Sequence, residues 1–230
     1  MSKKAKTNKG ETGVEGVEQA LTKAEQFIES YQKQIIWVVG SILSIVVLYM
    51  AFQHFYVTKR AQEAAVQMFP AEQYFEAEDW ERALDGDGNF HGFEDIISDY
   101  RFTPSANLAR YYAGICCLRL GEYEEAIRYF SRFKSKDIIL SSIALGGIGD
   151  AYAELGETSK AINFYKKAAE RRSNDFTSPL YLLRAGIMLE SEGRLKEAGE
   201  LFERIKSNYP SSTEGMNIEK YIARIQAQID

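Results

Sequence analysis

The sequence predicts an all-α chain: a single N-terminal transmembrane helix, then an α-solenoid of repeated helical hairpins, closed by a C-terminal capping helix. Three observations predict it. Residues 35–56 read IIWVVGSILSIVVLYMAFQHFY, 22 residues without Lys, Arg, Asp or Glu. Beyond them one helix–turn–helix pattern recurs three times. The 230 residues contain only 4 Pro, and 45% are hydrophobic against 27% charged, which excludes disordered and collagen-like classes.

The apolar run comes first. At about 1.5 Å per residue it forms roughly 33 Å of helix, enough for a hydrocarbon layer of about 30 Å. Trp37 stands near one end and Tyr49 and Tyr56 near the other, as amphipathic rings do at headgroup depth. Lys33 and the pair Lys59–Arg60 bracket the span, assigned to 35–57. A soluble helix of this composition would need burial on every face. A cleaved signal peptide would need a shorter apolar run and an A-x-A site after it. The six lysines of the N-terminal flank (Lys3, Lys4, Lys6, Lys9, Lys23 and Lys33) outnumber Lys59 and Arg60, so the positive-inside rule keeps the N-terminus cytoplasmic. The large C-terminal domain is therefore expected on the exported side of the membrane.

Ahead of the span, residues 1–13 are rich in Lys, Thr and Gly and read as a disordered tail. Over 14–34, Val14, Val17, Leu21, Ala24, Ile28 and Tyr31 continue to Ile35 at alternating spacings of three and four, a heptad seam. A coiled-coil dimer through residues 14–35, an amphipathic helix lying on the bilayer and a solvated helix all satisfy that pattern.

The repeats follow a divergent helical pair over 58–104. That pair reads as a long helix from Ala61 to about Leu84, a DGDGN loop, and a helix from about Gly92 to Tyr100. Residues 105–212 contain three copies of the pattern: YYAGICCLRLGEYEEAIRYF, LGGIGDAYAELGETSKAINFY and LRAGIMLESEGRLKEAGELF, centred on Gly121, Gly156 and Gly193. Each has Gly seven residues before the turn (Gly114, Gly149, Gly186), Ala five after it (Ala126, Ala161, Ala198) and an aromatic nine after it (Phe130, Tyr165, Phe202). The physics is consistent. A small residue lets the two helices approach, the turn Gly takes the left-handed conformation, and the aromatic fills the gap to the next hairpin. The pattern resembles the tetratricopeptide (TPR) repeat, which implies a stacked α-solenoid whose first helices line a concave protein-binding groove. The stretch 213–230 reads as the cap, with Ile218, Tyr221, Ile222 and Ile225 on one face of a helix over about Thr213 to Ala227.

No catalytic, cofactor-binding or metal site is expected. Asp85, Asp87 and Asn89 imitate half of a calcium loop, but Phe90 and Ile96 stand where that loop needs Gly and Glu. His54 and His91 are isolated, and the adjacent Cys116 and Cys117 read as small core residues. Residues 61–230 have 20 basic and 28 acidic side chains, a poor balance for nucleic acid. The chain therefore reads as a scaffold rather than an enzyme. The repeat register places Tyr111, Ile115, Leu118 and Arg119, then Asp150, Ala153 and Glu154, then Leu183, Ile187 and Glu190 on the groove. These mixed apolar and acidic residues suit extended apolar segments better than a terminal carboxylate.

The order of short N-terminus, single span and acidic repeat domain resembles the YfgM-like ancillary subunits of the bacterial Sec translocon, over about residues 30–230. The resemblance implies a single-pass protein of the bacterial inner membrane with its C-terminal domain in the periplasm, and translocon subunits, periplasmic chaperones or exported clients as partners. The alternative expectation is an assembly factor or structural subunit of another envelope complex, in division, secretion or outer-membrane biogenesis.

Overall fold

The computed structural model describes residues 31–34 and 36–229. Residues 1–13, Ile35 and all of the heptad segment 14–34 except its last four residues lie outside the described residues, and with them the dimer or surface-helix readings of 14–35. The chain divides into two compact units, Met1–Tyr56 and Val57–Asp230.

In the first unit α1, residues 36–51, leads into a π-helical stretch, Phe52–Val57. Among the described residues one helix, Tyr31–Glu76, is long and apolar enough to cross a membrane. The apolar side chains of α1, Ile36, Trp37, Leu43 and Leu48 among them, are exposed.

The second unit is helical throughout. It runs α2 (Thr58–Glu76), α3 (Trp80–Asp85), α4 (Phe93–Asp99), α5 (Pro104–Leu120), α6 (Tyr123–Arg132), α7 (Ile138–Glu154), α8 (Thr158–Glu170), α9 (Thr177–Ser191), α10 (Leu195–Asn208), α11 (Thr213–Met216) and α12 (Glu219–Ile229). Each helix packs on its sequence neighbour, so α5–α6, α7–α8 and α9–α10 form three stacked hairpins, a TPR-type α-solenoid. Thr103 starts α5 by accepting the Ala106 N–H, and Asp137 starts α7 by accepting that of Leu140.

The turns end each first helix in the same way. Gly121, Gly156 and Gly193 adopt φ of 81°, 73° and 72°. In each, the residue after the glycine donates its N–H five residues back (Glu122 to Cys117, Glu157 to Tyr152, Arg194 to Leu189), the Schellman closure of a helix end. The helix-A glycines lie against rings. A Cβ at Gly114 would stand 2.8 Å from Phe130, one at Gly149 2.7 Å from Tyr165, and one at Gly186 2.3 Å from Phe202. The turn alanines Ala126, Ala161 and Ala198 are fully buried where the helices cross.

The long helix expected over Ala61 to Leu84 is broken. Glu78 takes φ of 58° and Asp79 donates its N–H to the Tyr74 carbonyl, so the same closure ends α2 with Glu in the glycine position. Asp79 then caps α3 by accepting the Arg82 N–H. Counted from Glu78, fully buried Ala71 and Ala83 occupy the positions of Gly114 and Ala126. The segment 58–104 is thus three helices rather than two: a hairpin of repeat register whose second helix is split into α3 and α4 by the DGDGN loop. Phe93 stacks on Tyr112 at 5.1 Å. Tyr112 has the register position of Gly147, which receives Phe130. In the loop the Asp87 carboxylate accepts from the N–H groups of Asn89 and Phe90 and from the Tyr74 hydroxyl, so the apparent half of a calcium loop is an Asx turn.

The single capping helix is also divided. Ser212 caps α11, the chain turns at Asn217, and Ile218 drops into the core fully buried before α12 begins.

Replacing Gly186 tests the ring contacts. Alanine gains about 1 kcal/mol of helix propensity, yet its Cβ overlaps the Phe202 ring, an overpacking cost of about 1–3 kcal/mol. Gly186→Ala should lower the denaturant midpoint, and Phe202→Leu in the same chain should recover part of the loss, whereas Gly199→Ala, with an open site at 3.7 Å from Ile225, should not destabilise.

Candidate protein-binding groove

The first helices of the three hairpins, α5, α7 and α9, together with Tyr123 and Phe130 of α6, enclose an open cleft of about 400 Å³. One wall is apolar: Ile115 and Leu118 from α5 and Ile143 from α7. The rim is charged, with Arg119 on α5, Asp150 and Glu154 on α7, and Arg184 on α9. The floor is aromatic, from Phe130 and Tyr181 lying on the glycines of α7.

Asp150 organises the floor. Its carboxylate accepts from the Tyr165 hydroxyl at 2.7 Å and from the Arg184 guanidinium, so one side chain of α7 ties α8 and α9 together. Both partners of the Asp150–Arg184 pair are over a third exposed, so the pair positions more than it stabilises. Glu154 accepts from the Tyr123 hydroxyl at 3.4 Å, and Arg119 stands 5.7 Å above the Trp80 ring. The rim therefore offers charges of both signs above apolar side chains.

Of the residues expected on the groove, Ile115, Leu118, Arg119, Asp150 and Glu154 lie together in this cleft. Tyr111 does not: it is buried, packed on Phe130 and Phe133. Ala153 and Leu183 are half-buried against the C-terminal part of the core. Ile187 is 40% exposed and does not line the cleft. Glu190 is engaged by the cap, where its carboxylate receives two 2.6 Å bonds from Arg224 and one from Gln228, which hold its pKa below the usual carboxylate range. Sequence reasoning missed Tyr123, Ile143, Gly147, Tyr181 and Arg184. Tyr181 and Arg184 precede Gly186 by five and two residues, positions held by Ala109 and Tyr112 in the first copy, so no repeat signal marked them.

Cys116 and Cys117 are fully buried behind the cleft. Burial pushes the Cys116 thiol up to about 12, and burial with the neighbouring Glu122 pushes Cys117 higher still. Tyr129, Tyr165 and Tyr181 are likewise raised above 10.0, in each case first by burial and then by a carboxylate, Glu94 for Tyr129 and Asp150 for the other two.

The sequence profile of the tetratricopeptide repeat matches residues 91–137 and 147–213. The crystal structure of a putative kinesin light chain with nearly identical TPR-like repeats, from Podosopora anserina, superposes with a TM-score of 0.54 at 13% identity, over 73% of this chain and 87% of that one. At that identity the likeness is one of fold. No curated protein matches the chain. The hairpins are tetratricopeptide repeats, and the class they define is the protein–protein interaction scaffold.

Two outcomes follow from the buried groups. At pH 8 a maleimide should leave both thiols of the native protein unmodified and should label both once guanidinium unfolds it, because the thiolate is the reactive form. The raised tyrosines bind protons more tightly in the folded chain than in the unfolded one. Their contribution is therefore complete below pH 10 and lost as pH rises beyond it. Urea midpoints should begin to fall near pH 9, where the two buried thiols ionise in the unfolded chain only, and fall more steeply above 10, with tyrosinate absorbance at these sites rising only as the chain unfolds.

Proposed function

We propose that the protein is a membrane-anchored TPR scaffold, with α1 in the inner membrane and the repeat domain on its exported face, where the groove receives extended segments of partner proteins near the translocon. The observation that carries this reading is the cleft between α5, α7 and α9. It has an apolar wall to take alternate side chains of an extended chain, and a rim of Arg119, Asp150, Glu154 and Arg184 to meet that chain's backbone and polar groups. The exposed apolar surface of α1 and the lysine-rich N-terminal flank support the anchor and its orientation. The resemblance to YfgM-like subunits supports translocon subunits, chaperones or exported clients as the partners.

A photo-crosslinker at Ile115 in the full chain, expressed in bacterial cells, should give adducts with translocon subunits, chaperones or exported proteins. The same probe at Lys196, on the far side of the stack, should give none. Equal capture at both positions, or capture of division or outer-membrane assembly proteins alone, would sink the reading. External protease acting on spheroplasts should degrade the repeat domain while sparing a cytoplasmic marker.

A further inference from the structure

The connections from one hairpin to the next lie along one edge of the stack. The helices alternate in direction, so 100–103, 132–138 and 171–176 all fall on that side. Two cross-links show the neighbourhood: Asn107 brackets Lys134, and Arg172 donates to the Lys136 carbonyl at 3.3 Å. These three segments contain six basic residues, Arg101, Arg132, Lys134, Lys136, Arg171 and Arg172, against Asp137 and Asp175, and all eight are exposed. Asp137 is already engaged with the Leu140 N–H.

Large apolar side chains are exposed in the same segments. Phe102 is 58%, Ile138 40% and Phe176 69% exposed. The far edge has the opposite character. There Asp85 is raised by burial and by Glu94, Glu122, Glu81 and Asp95 around it. An acidic domain has thus gathered six cations beside three exposed large apolar side chains along this edge, while the acidic edge exposes Phe90. Lysine and arginine at helix C-termini answer the helix dipole, but that does not call for phenylalanine in water beside them.

The path of the chain supplies the remaining observation. The start of α2 is held at the basic edge, where Arg60 donates to the Asp99 carbonyl at 3.1 Å and the Tyr100 hydroxyl to Glu63. Its other end is held at the acidic edge, where Tyr74 meets Asp87. The polypeptide therefore enters this domain, directly after the apolar helix, at the edge with the cations and the rings. A cleft of about 540 Å³ opens beside these loops, with Lys134, Ser135 and Arg171 on its rim and Phe133, Leu145 and Phe164 below.

We propose that this edge docks onto an anionic lipid surface, with Lys134, Lys136, Arg171 and Arg172 at the level of the phosphates and Phe176 and Ile138 at the headgroup boundary. The proposal rests on the membrane-anchored reading for its high local lipid concentration. Basic residues near such a surface attract anionic lipid within about 10 Å, the screening length at ordinary salt, and aromatic side chains favour the same depth.

The test uses the full chain reconstituted into vesicles. Ser173→Cys takes a polarity-sensitive maleimide dye while the two native thiols are buried. Lipids with a quencher on the upper acyl chain should quench the dye in phosphatidylcholine–phosphatidylglycerol vesicles and not in phosphatidylcholine alone. Quenching should vanish at high salt. Changing Lys134, Lys136 and Arg171 together to Ala should lower the docking equilibrium roughly 100-fold. Equal quenching in neutral vesicles, no quenching in anionic ones, or a dye response only to added protein would overturn the proposal. Flotation with the neutral vesicles reads the anchor separately. A chain that floats with an unresponsive dye has lost the docking edge and kept the anchor, and one that floats only on anionic vesicles has lost the anchor and kept the edge.

Discussion

The stack depends on aromatic rings seated on glycines, and most of all on those of α7. Three glycines within four residues each meet a ring from a different helix: Gly146 meets Tyr181 of α9, Gly147 meets Phe130 of α6, and Gly149 meets Tyr165 of α8. Helix α7 is thereby joined to its own second helix, to the hairpin before and to the hairpin after. Glycine inside a helix costs about 0.5–1 kcal/mol relative to alanine. Each buried ring removes roughly 150–250 Å² from water, worth several kcal/mol at about 25 cal/mol per Å². The rings decide the balance, and the glycines are tolerated because a Cβ at any of the three positions would overlap a ring.

The same contacts build the groove. Phe130 and Tyr181 can form its floor only because α7 is bare beneath them, and Tyr165 reaches Asp150 because Gly149 lets it lie close. Asp150 then draws Arg184 across from α9. Shape and charge in the cleft are thus consequences of helix spacing, one link removed from the glycine pattern. A side-chain change in the wall can alter what binds without disturbing the stack, while a change at the glycines alters both.

Much of this was legible in the sequence because it is periodic. The turn glycines, the small residues before them and the rings after them occur at fixed offsets, and each offset has one structural meaning. What the period did not show has identifiable causes. Glu78 replaces the turn glycine of the first hairpin and the DGDGN loop splits its second helix, so that hairpin lost both its punctuation and its spacing. Half of the expected groove residues came together because helix register alone places them. Tyr111 went into the core because Phe130 and Phe133 flank it, and Glu190 went to the cap because Arg224 reaches it from a helix outside the repeat. Arg184 was invisible because its partner, Asp150, lies one repeat away, and no offset within a repeat encodes that contact.

The first hairpin shows what its departures are for in physical terms. With Glu at the left-handed position, the turn after α2 bears a strain of about 1 kcal/mol that glycine would avoid. The Schellman closure and the Asp79 cap offset that strain at once. The DGDGN loop shortens α3 and sends α4 off as a separate piece, yet Phe93 still reaches the register position that Phe130 reaches one repeat later. The insertion therefore keeps the one contact that passes the stack from hairpin to hairpin and gives up the regular helix around it. Where the helix is interrupted and the ring contact retained, it is the ring contact, rather than the helix length, that the solenoid requires at its first joint.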